Sequence, residues 1–188
     1  REPDGHAALP LPARGRRRSA DRCRQHGRAP DAARHGAGDT GRRPDGYHEI
    51  QTAFQLIDLA DELGFVARAD GEIRRVEGPV EVPAAQDLCL RAARSLQAAG
   101  GCSLGADIRL EKRIPVQGGL GGGSSDAATT LVALNEIWGL RLPVDTLAAI
   151  GLGLGADVPL FVRGQSAWGE GVGERLTPME LPPRHFAI

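Results

Sequence analysis

From about residue 49 onward, apolar and polar positions follow patterns that predict a succession of elements. Ile50, Thr52, Phe54 and Leu56 fall on alternate positions, which predicts a half-buried strand from Glu49 to Leu59. A second strand is expected at Leu63 to Ala67, ahead of the turn signal Asp70-Gly71. Leu88, Ala92 and Leu96, with Ala93 beside them, mark one face of a helix that ends at Gly100-Gly101. Ile108 and Leu110 alternate with Arg109 and Glu111, so a strand should lead into Pro115. Ala127, Ala128, Leu131, Leu134 and Trp138 then recur at three and four residues, the spacing of an amphipathic helix with Gly139 as its terminator. Pro143, Val144 and Asp145 open a shorter helix through Ile150, which Gly151 to Gly155 should break. Val158 to Val162 reads as a short apolar strand. Strands interspersed with helices, closely spaced where they are neighbours, predict an α+β domain with antiparallel pairs.

Composition narrows the class of protein. A chain of 188 residues can bury one sizeable core or two small ones. No apolar run approaches the roughly 20 residues that span a bilayer, and the arginine-rich start has no apolar stretch behind it, so neither a membrane nor a secretory signal is expected. Cys23, Cys89 and Cys102 lack metal-ligand spacing and an even count, which suits a reduced cytoplasmic compartment. The net charge of −1 is unevenly spread: residues 1–43 hold eleven arginines against five acids. That arm has no lysine, no aromatic residue for stacking and no period. Residues 1–40 are therefore read as a disordered segment outside the fold, and nucleic-acid binding is set aside on the same composition.

The chemistry concentrates in Pro115 to Ala128, read as PVQGGLGGGSSDAA. A strand, a proline, the glycines Gly118, Gly119, Gly121, Gly122 and Gly123 around Leu120, two serines and a helix follow in order. Glycine lets the backbone approach a phosphate closely, and a helix start offers unpaired amides and a partial positive charge. Ser124 and Ser125 can cap that helix, or donate to phosphate oxygens and a Mg²⁺ shell. Gly118 to Ser124 has the frame of a P-loop, but a serine stands where its lysine is needed. A dinucleotide fingerprint also fails, since Gly121 and Gly123 are followed by Asp126, an acid in a place that should receive a pyrophosphate.

Pro115, Gly119, Leu120, Gly121 and Ser124-Ser125 fit the pattern P-x-x-x-G-L-G-S-S-A once the extra glycines are allowed, and the stretch resembles the second motif of the GHMP kinases. Its expanded form is similar to one branch of that family, which phosphorylates the 2-hydroxyl of 4-diphosphocytidyl-2-C-methyl-D-erythritol in the non-mevalonate isoprenoid pathway. The segment GRRPDGYHEIQT, from Gly41 to Thr52, resembles a signature of the same branch. Chemically, Tyr47 offers a stacking face and His48 a hydrogen-bonding ring, or else a core aromatic and a turn helper. The resemblance implies that they hold the substrate's cytosine.

Leu154 to Phe161 resembles the catalytic segment GADVPxF, which implies that Asp157 is the general base. On spacing alone Asp157 would more often be a helix cap. Leu88 to Ala93 is similar to the family's helix near the adenosine pocket, although Asp87 stands where an asparagine is common. Lys112 fits the lead into the glycine loop, near adenine in the family, and Trp168 to Leu176 is similar to the stretch that closes this half of the protein.

The resemblance runs from about Gly41 to Ile188 and implies an incomplete domain of the ribosomal-protein-S5 domain-2-like fold over residues 41–180, with 181–188 entering a second domain. It implies ATP and Mg²⁺ as cofactors, a small-molecule substrate, and Lys112 with Pro115, Val116, Gln117, Gly118, Gly119, Leu120, Gly121, Gly122, Gly123, Ser124 and Ser125 at the nucleotide, Ser125 also at the metal. The family's opening strand, with its catalytic lysine, has no counterpart here, and Lys112 is the chain's single lysine. Residues 1–40 are accordingly expected to be a frame-shifted or mis-joined segment, and this polypeptide alone is expected to be weakly active or inactive. Two rivals stand beside this reading: another GHMP kinase, which would lack DGYHE, and a non-catalytic fragment that binds nucleotide or nucleic acid.

Overall fold

The computed structural model describes residues 25–26, 30–31, 50–57, 59–115, 120–171 and 175–182. Its long strands and helices begin where the periodicity begins. Strand β3 (Ile50–Leu56) and strand β4 (Glu62–Arg68) are followed by β5 (Ile73–Glu77), helix α1 (Leu88–Ala99), β6 (Gly105–Glu111), α2 (Gly122–Ile137), α3 (Val144–Leu152), α4 (Val158–Arg163), β7 (Ala167–Gly171) and β8 (Arg175–Pro178). Two two-residue strands, β1 (Gln25–His26) and β2 (Pro30–Asp31), lie in the arm where no strand pattern is legible; they pair with β4 and β3 through the backbone, which needs no apolar period.

The strands form two sheets, ordered β1-β4-β6-β5 and β2-β3-β7-β8. Every pair is antiparallel except β5 with β6, so the domain is α+β as expected. In the first sheet Leu63 faces Leu110 and Phe65 faces Ile108, all four buried on one side. Leu90, Ala93 and Leu96 of α1 and Ala127, Leu131 and Leu134 of α2 close over that side. The end of α2 is secured twice. Gly139 takes a left-handed φ of 68°, its amide donates to Glu136 O and the next amide donates to Asn135 O, a paired C-terminal stop. Trp138 Nε1 donates to Gly105 O across to β6, 3.1 Å away.

The second sheet buries a smaller cluster of Phe54, Leu160 and Ala167. Leu160 comes from α4, whereas Val158 and Val162 of the same helix belong to the larger core. This short helix therefore stitches the two layers together.

Three local expectations are corrected. Val158 to Val162 is helix, not strand: an apolar run of five has no period to tell the two apart, Pro159 suits a helix start, and Gly164 in the left-handed region ends it. Helix α3 runs through Gly151 to Leu152, with Val158 packed where a Gly151 side chain would stand. The serines do not cap α2. Its cap position is Gly121, and Ser124 and Ser125 lie within the first turn.

Gly105 opens β6 directly against Glu72, and a Cβ there would overlap the Glu72 backbone. Gly105→Ala is expected to lower the unfolding free energy by about 2–3 kcal/mol, measured by urea denaturation against the wild type.

Candidate functional site

The chain leaves β6 through Glu111 and Lys112 and enters the glycine loop at Pro115. Asp61, at the end of the β3–β4 connection and 1% exposed, receives this segment. Its carboxylate accepts from Lys112 Nζ at 2.5 Å, Arg113 N at 2.6 Å and Ile114 N at 2.8 Å. On the other side of the lysine, Asp126 of α2 accepts from Nζ at 3.0 Å through Oδ2, while its buried Oδ1 has no hydrogen-bond partner among the described residues. Two carboxylates thus share one ammonium out of water.

The electrostatics follow. Burial pushes the Asp126 carboxyl up to about 7, with Lys112 pulling the other way and Asp61 adding to the rise. Burial disfavours the Lys112 charge, but Asp126 and Asp61 more than offset it and hold the ammonium above its ordinary value. Cys89, from α1, is pushed well up by burial and then by Asp126, which makes it an inert thiol.

Beside this cluster opens a cavity of about 400 Å³. Its walls bring together residues predicted separately: Lys112, Pro115, Leu120, Gly121, Gly122, Gly123 and Ser124 from the loop region, and Leu88 and Cys89 with Asp87 from α1. Gly121 holds φ 68°, ψ 13°, the left-handed conformation that turns the loop into the helix. A helix leaves its first amides without internal acceptors; here those of Gly122, Gly123 and Ser124 belong to residues that line the cavity. Gly122 sits so tightly that a Cβ would stand 2.9 Å from Ile114 Cγ2 and 3.2 Å from Lys112 Nζ.

The far wall carries Pro79, Val82 and Gln86 from the segment before α1. Asp87 caps α1 by accepting from Cys89 N and Leu90 N, and its other oxygen takes Arg75 NH1 at 2.7 Å. Arg75 NH2 also donates to Val82 O, so one guanidinium ties the wall segment to β5.

Ser125 is 1% exposed and has its own partner, so it faces the core, and Ser124 is the serine on the cavity wall. Asp157 stands at the start of α4 without making the cap hydrogen bond that spacing alone would favour. Burial raises its carboxyl above the ordinary range, which makes it a better proton acceptor than a solvated aspartate. It does not line the cavity. Its neighbour Gly155 is the link: a Cβ there would stand 3.8 Å from Ser124 Oγ, so the Asp157 turn lies against the first turn of α2. Tyr47, His48, Val116, Gln117, Gly118 and Gly119 lie outside the described residues. Among the described residues, no cluster of three or more His, Cys, Asp or Glu could hold a metal, and no helix is long and apolar enough to cross a membrane.

Sequence reasoning did not place Asp61 or Asp126 in the site. For Asp61 the available signal was an acid directly after the apolar Leu59-Ala60, where a surface turn would be expected; Asp126 entered only as an obstacle to a dinucleotide loop.

Residues 87–165 match the GHMP kinases N terminal domain. A protein of Alkalilimnicola ehrlichii named 4-diphosphocytidyl-2-C-methyl-D-erythritol kinase is 63% identical over 148 residues, which cover 79% of this chain and 51% of that protein. A Ralstonia nicotianae protein of the same name is 61% identical with the same coverage. A crystal structure of 4-(cytidine 5'-diphospho)-2C-methyl-D-erythritol kinase aligns with a TM-score of 0.71 and 41% identity over 85% of this chain and 56% of that one. The Methanococcus jannaschii mevalonate kinase has the same fold, with a TM-score of 0.58 at 15% identity over 87% of this chain and 57% of that one. The chain spans about half the length of the curated relatives it matches.

The raised carboxyl of Asp126 gives a pH dependence of known sign. The folded state holds this proton more tightly than the unfolded chain does. The stability it contributes is therefore complete below the ordinary value of 3.8 and is lost as pH rises through about 7. Asp126→Asn keeps the shape and stays neutral. It is expected to be more stable than the wild type by on the order of 4 kcal/mol at pH 8 and nearly equal to it near pH 4, measured by urea unfolding at both values.

Proposed function

We propose that the chain belongs to the GHMP kinases and that its domain serves an enzyme that transfers the γ-phosphoryl group of ATP to the 2-hydroxyl of 4-diphosphocytidyl-2-C-methyl-D-erythritol. The observation that carries this reading is the convergence of the glycine loop, the start of α2 and the α1 segment on one cavity, with the Asp157 turn packed against that helix start.

In this reading the adenosine lies between Pro79, Val82 and Leu88 on one side and Leu110 on the other. The phosphates turn along Gly121 to Ser124, where backbone amides and the helix start meet their charge without a P-loop lysine. Mg²⁺, arriving on the phosphates, supplies charge neutralisation when bound, and the Ser124 hydroxyl is the protein oxygen best placed for it, because Ser125 is turned inward. Asp157 accepts the proton of the substrate hydroxyl as its oxygen bonds to the γ-phosphorus and the β–γ bridging bond breaks, releasing ADP. Tyr47 and His48 hold the cytosine, as the resemblance implies. The enzyme works in the cytoplasm on ATP and a small alcohol. Catalysis by such a site is positioning and electrostatics, since the nucleotide brings the reactive phosphorus.

Asp157→Asn in the full-length enzyme is expected to lower kcat by on the order of 10²-fold or more while leaving the KM for ATP within about twofold, because Asp157 lies outside the nucleotide cavity. Steady-state kinetics with ATP and 4-diphosphocytidyl-2-C-methyl-D-erythritol check both. An unchanged kcat removes the base assignment, and a full-length enzyme with no turnover of this pair removes the substrate assignment.

A further inference from the structure

Asp61 has no place in the reading of the reaction above, although it is 1% exposed and its carboxylate gathers three donors from residues 51 to 53 positions away. The gathered segment, Lys112 to Ile114, leads straight into the glycine loop. Ile114 is 2% exposed and, with Lys112 Nζ, forms the floor under Gly122, where α2 begins. A buried carboxylate holding charge-assisted and backbone hydrogen bonds resists displacement, because no water stands ready to replace a broken bond. Asp61 is not itself among the residues lining the cavity. It reaches the ligand only through others.

We propose that Asp61 is a positioning residue for the phosphate-binding loop. Through Arg113 N and Ile114 N it fixes the height at which the chain enters the loop, and through Lys112 Nζ it fixes the ammonium at the cavity wall. This rests on the nucleotide reading of the cavity. Its particular consequence is that disturbing Asp61 weakens the hold on phosphates and spares the hold on the nucleoside, whose apolar wall is tied by Arg75 and Asp87 instead.

Asp61→Asn tests it. The amide oxygen can still accept from a backbone N–H, but its NH₂ group presents donors to an ammonium that also only donates. Dissociation constants for ATP and for adenosine are measured by titration calorimetry on the chain and its variant, well below the variant's melting temperature. ATP binding is expected to weaken about tenfold and adenosine binding by less than about twofold. Equal losses, or none, overturn the proposal and leave Asp61 a purely structural residue.

If the wild type binds neither ligand, the nucleotide reading fails for this chain, and amide hydrogen exchange in the free protein decides the positioning role. The amides of Arg113, Ile114 and Leu120 to Ser124 are then expected to exchange at least about tenfold faster in Asp61→Asn, with Leu63 and Phe65 unchanged. A uniform change, or none, overturns the proposal. If Asp61→Asn does not fold, Lys112→Met replaces it. Continued protection of the Arg113 and Ile114 amides in that variant supports direct holding by Asp61, and their loss of protection overturns it.

Discussion

The Lys112 ammonium, pinned between Asp61 and Asp126, is the contact on which the rest of the site depends. All three groups are largely withdrawn from water, so each relies on the others for what solvent would have supplied. Removing Lys112 leaves both acids uncompensated, and removing Asp61 strands two backbone amides, which is why the segment joining β6 to the loop has one position rather than several. The arithmetic of two acids and one base also answers a difficulty in the sequence, where an acid follows the glycines that should receive phosphate. Asp126 lines the cavity but shares the Lys112 ammonium with Asp61, and burial raises its carboxyl up to about 7, so the negative field at the loop is weaker than the residue type suggests.

A similar economy governs Asp157. It is held at the seam of both sheets, because α4 sends Val158 and Val162 into one hydrophobic cluster and Leu160 into the other. A side chain with few rotatable bonds, mounted on a turn fixed from two directions, keeps its orientation without needing a hydrogen bond of its own. The close approach of Gly155 to Ser124 couples that turn to the helix start, so the proposed base and the proposed phosphate site share one support.

Most of the scaffold was legible because one face of each long element is buried and the other wet. Leu63 and Phe65 in β4 and the Leu88 to Leu96 stripe follow that rule, whereas α2 is buried on most sides, with only Gly123 and Glu136 exposed, and was legible from the spacing of its large apolar residues. β5 was invisible for the converse reason: Arg74, Val76 and Glu77 are exposed, so its pairing with β6 is a matter of backbone rather than pattern. The run Val158 to Val162 was misread because burial on all sides erases the period that separates helix from strand. At the site, the glycine loop could be read locally, since its chemistry is that of the backbone. The Asp61–Lys112–Asp126 cluster could not, because a buried acid is explained only by a partner that the fold brings from 51 positions away.

The two hydrophobic clusters are very unequal. The larger unites α1, α2 and the first sheet, while among the described residues the smaller rests on Phe54, Leu160 and Ala167. Regions with little buried apolar area open by local unfolding well before the global transition. The second sheet is such a region, and its loss frees Leu160 and slackens α4 while the cavity, built on the larger core, stays shaped. Under the proposed function, warming is then expected to loosen the Asp157 turn before the nucleotide cavity, so that ATP binding outlasts phosphoryl transfer.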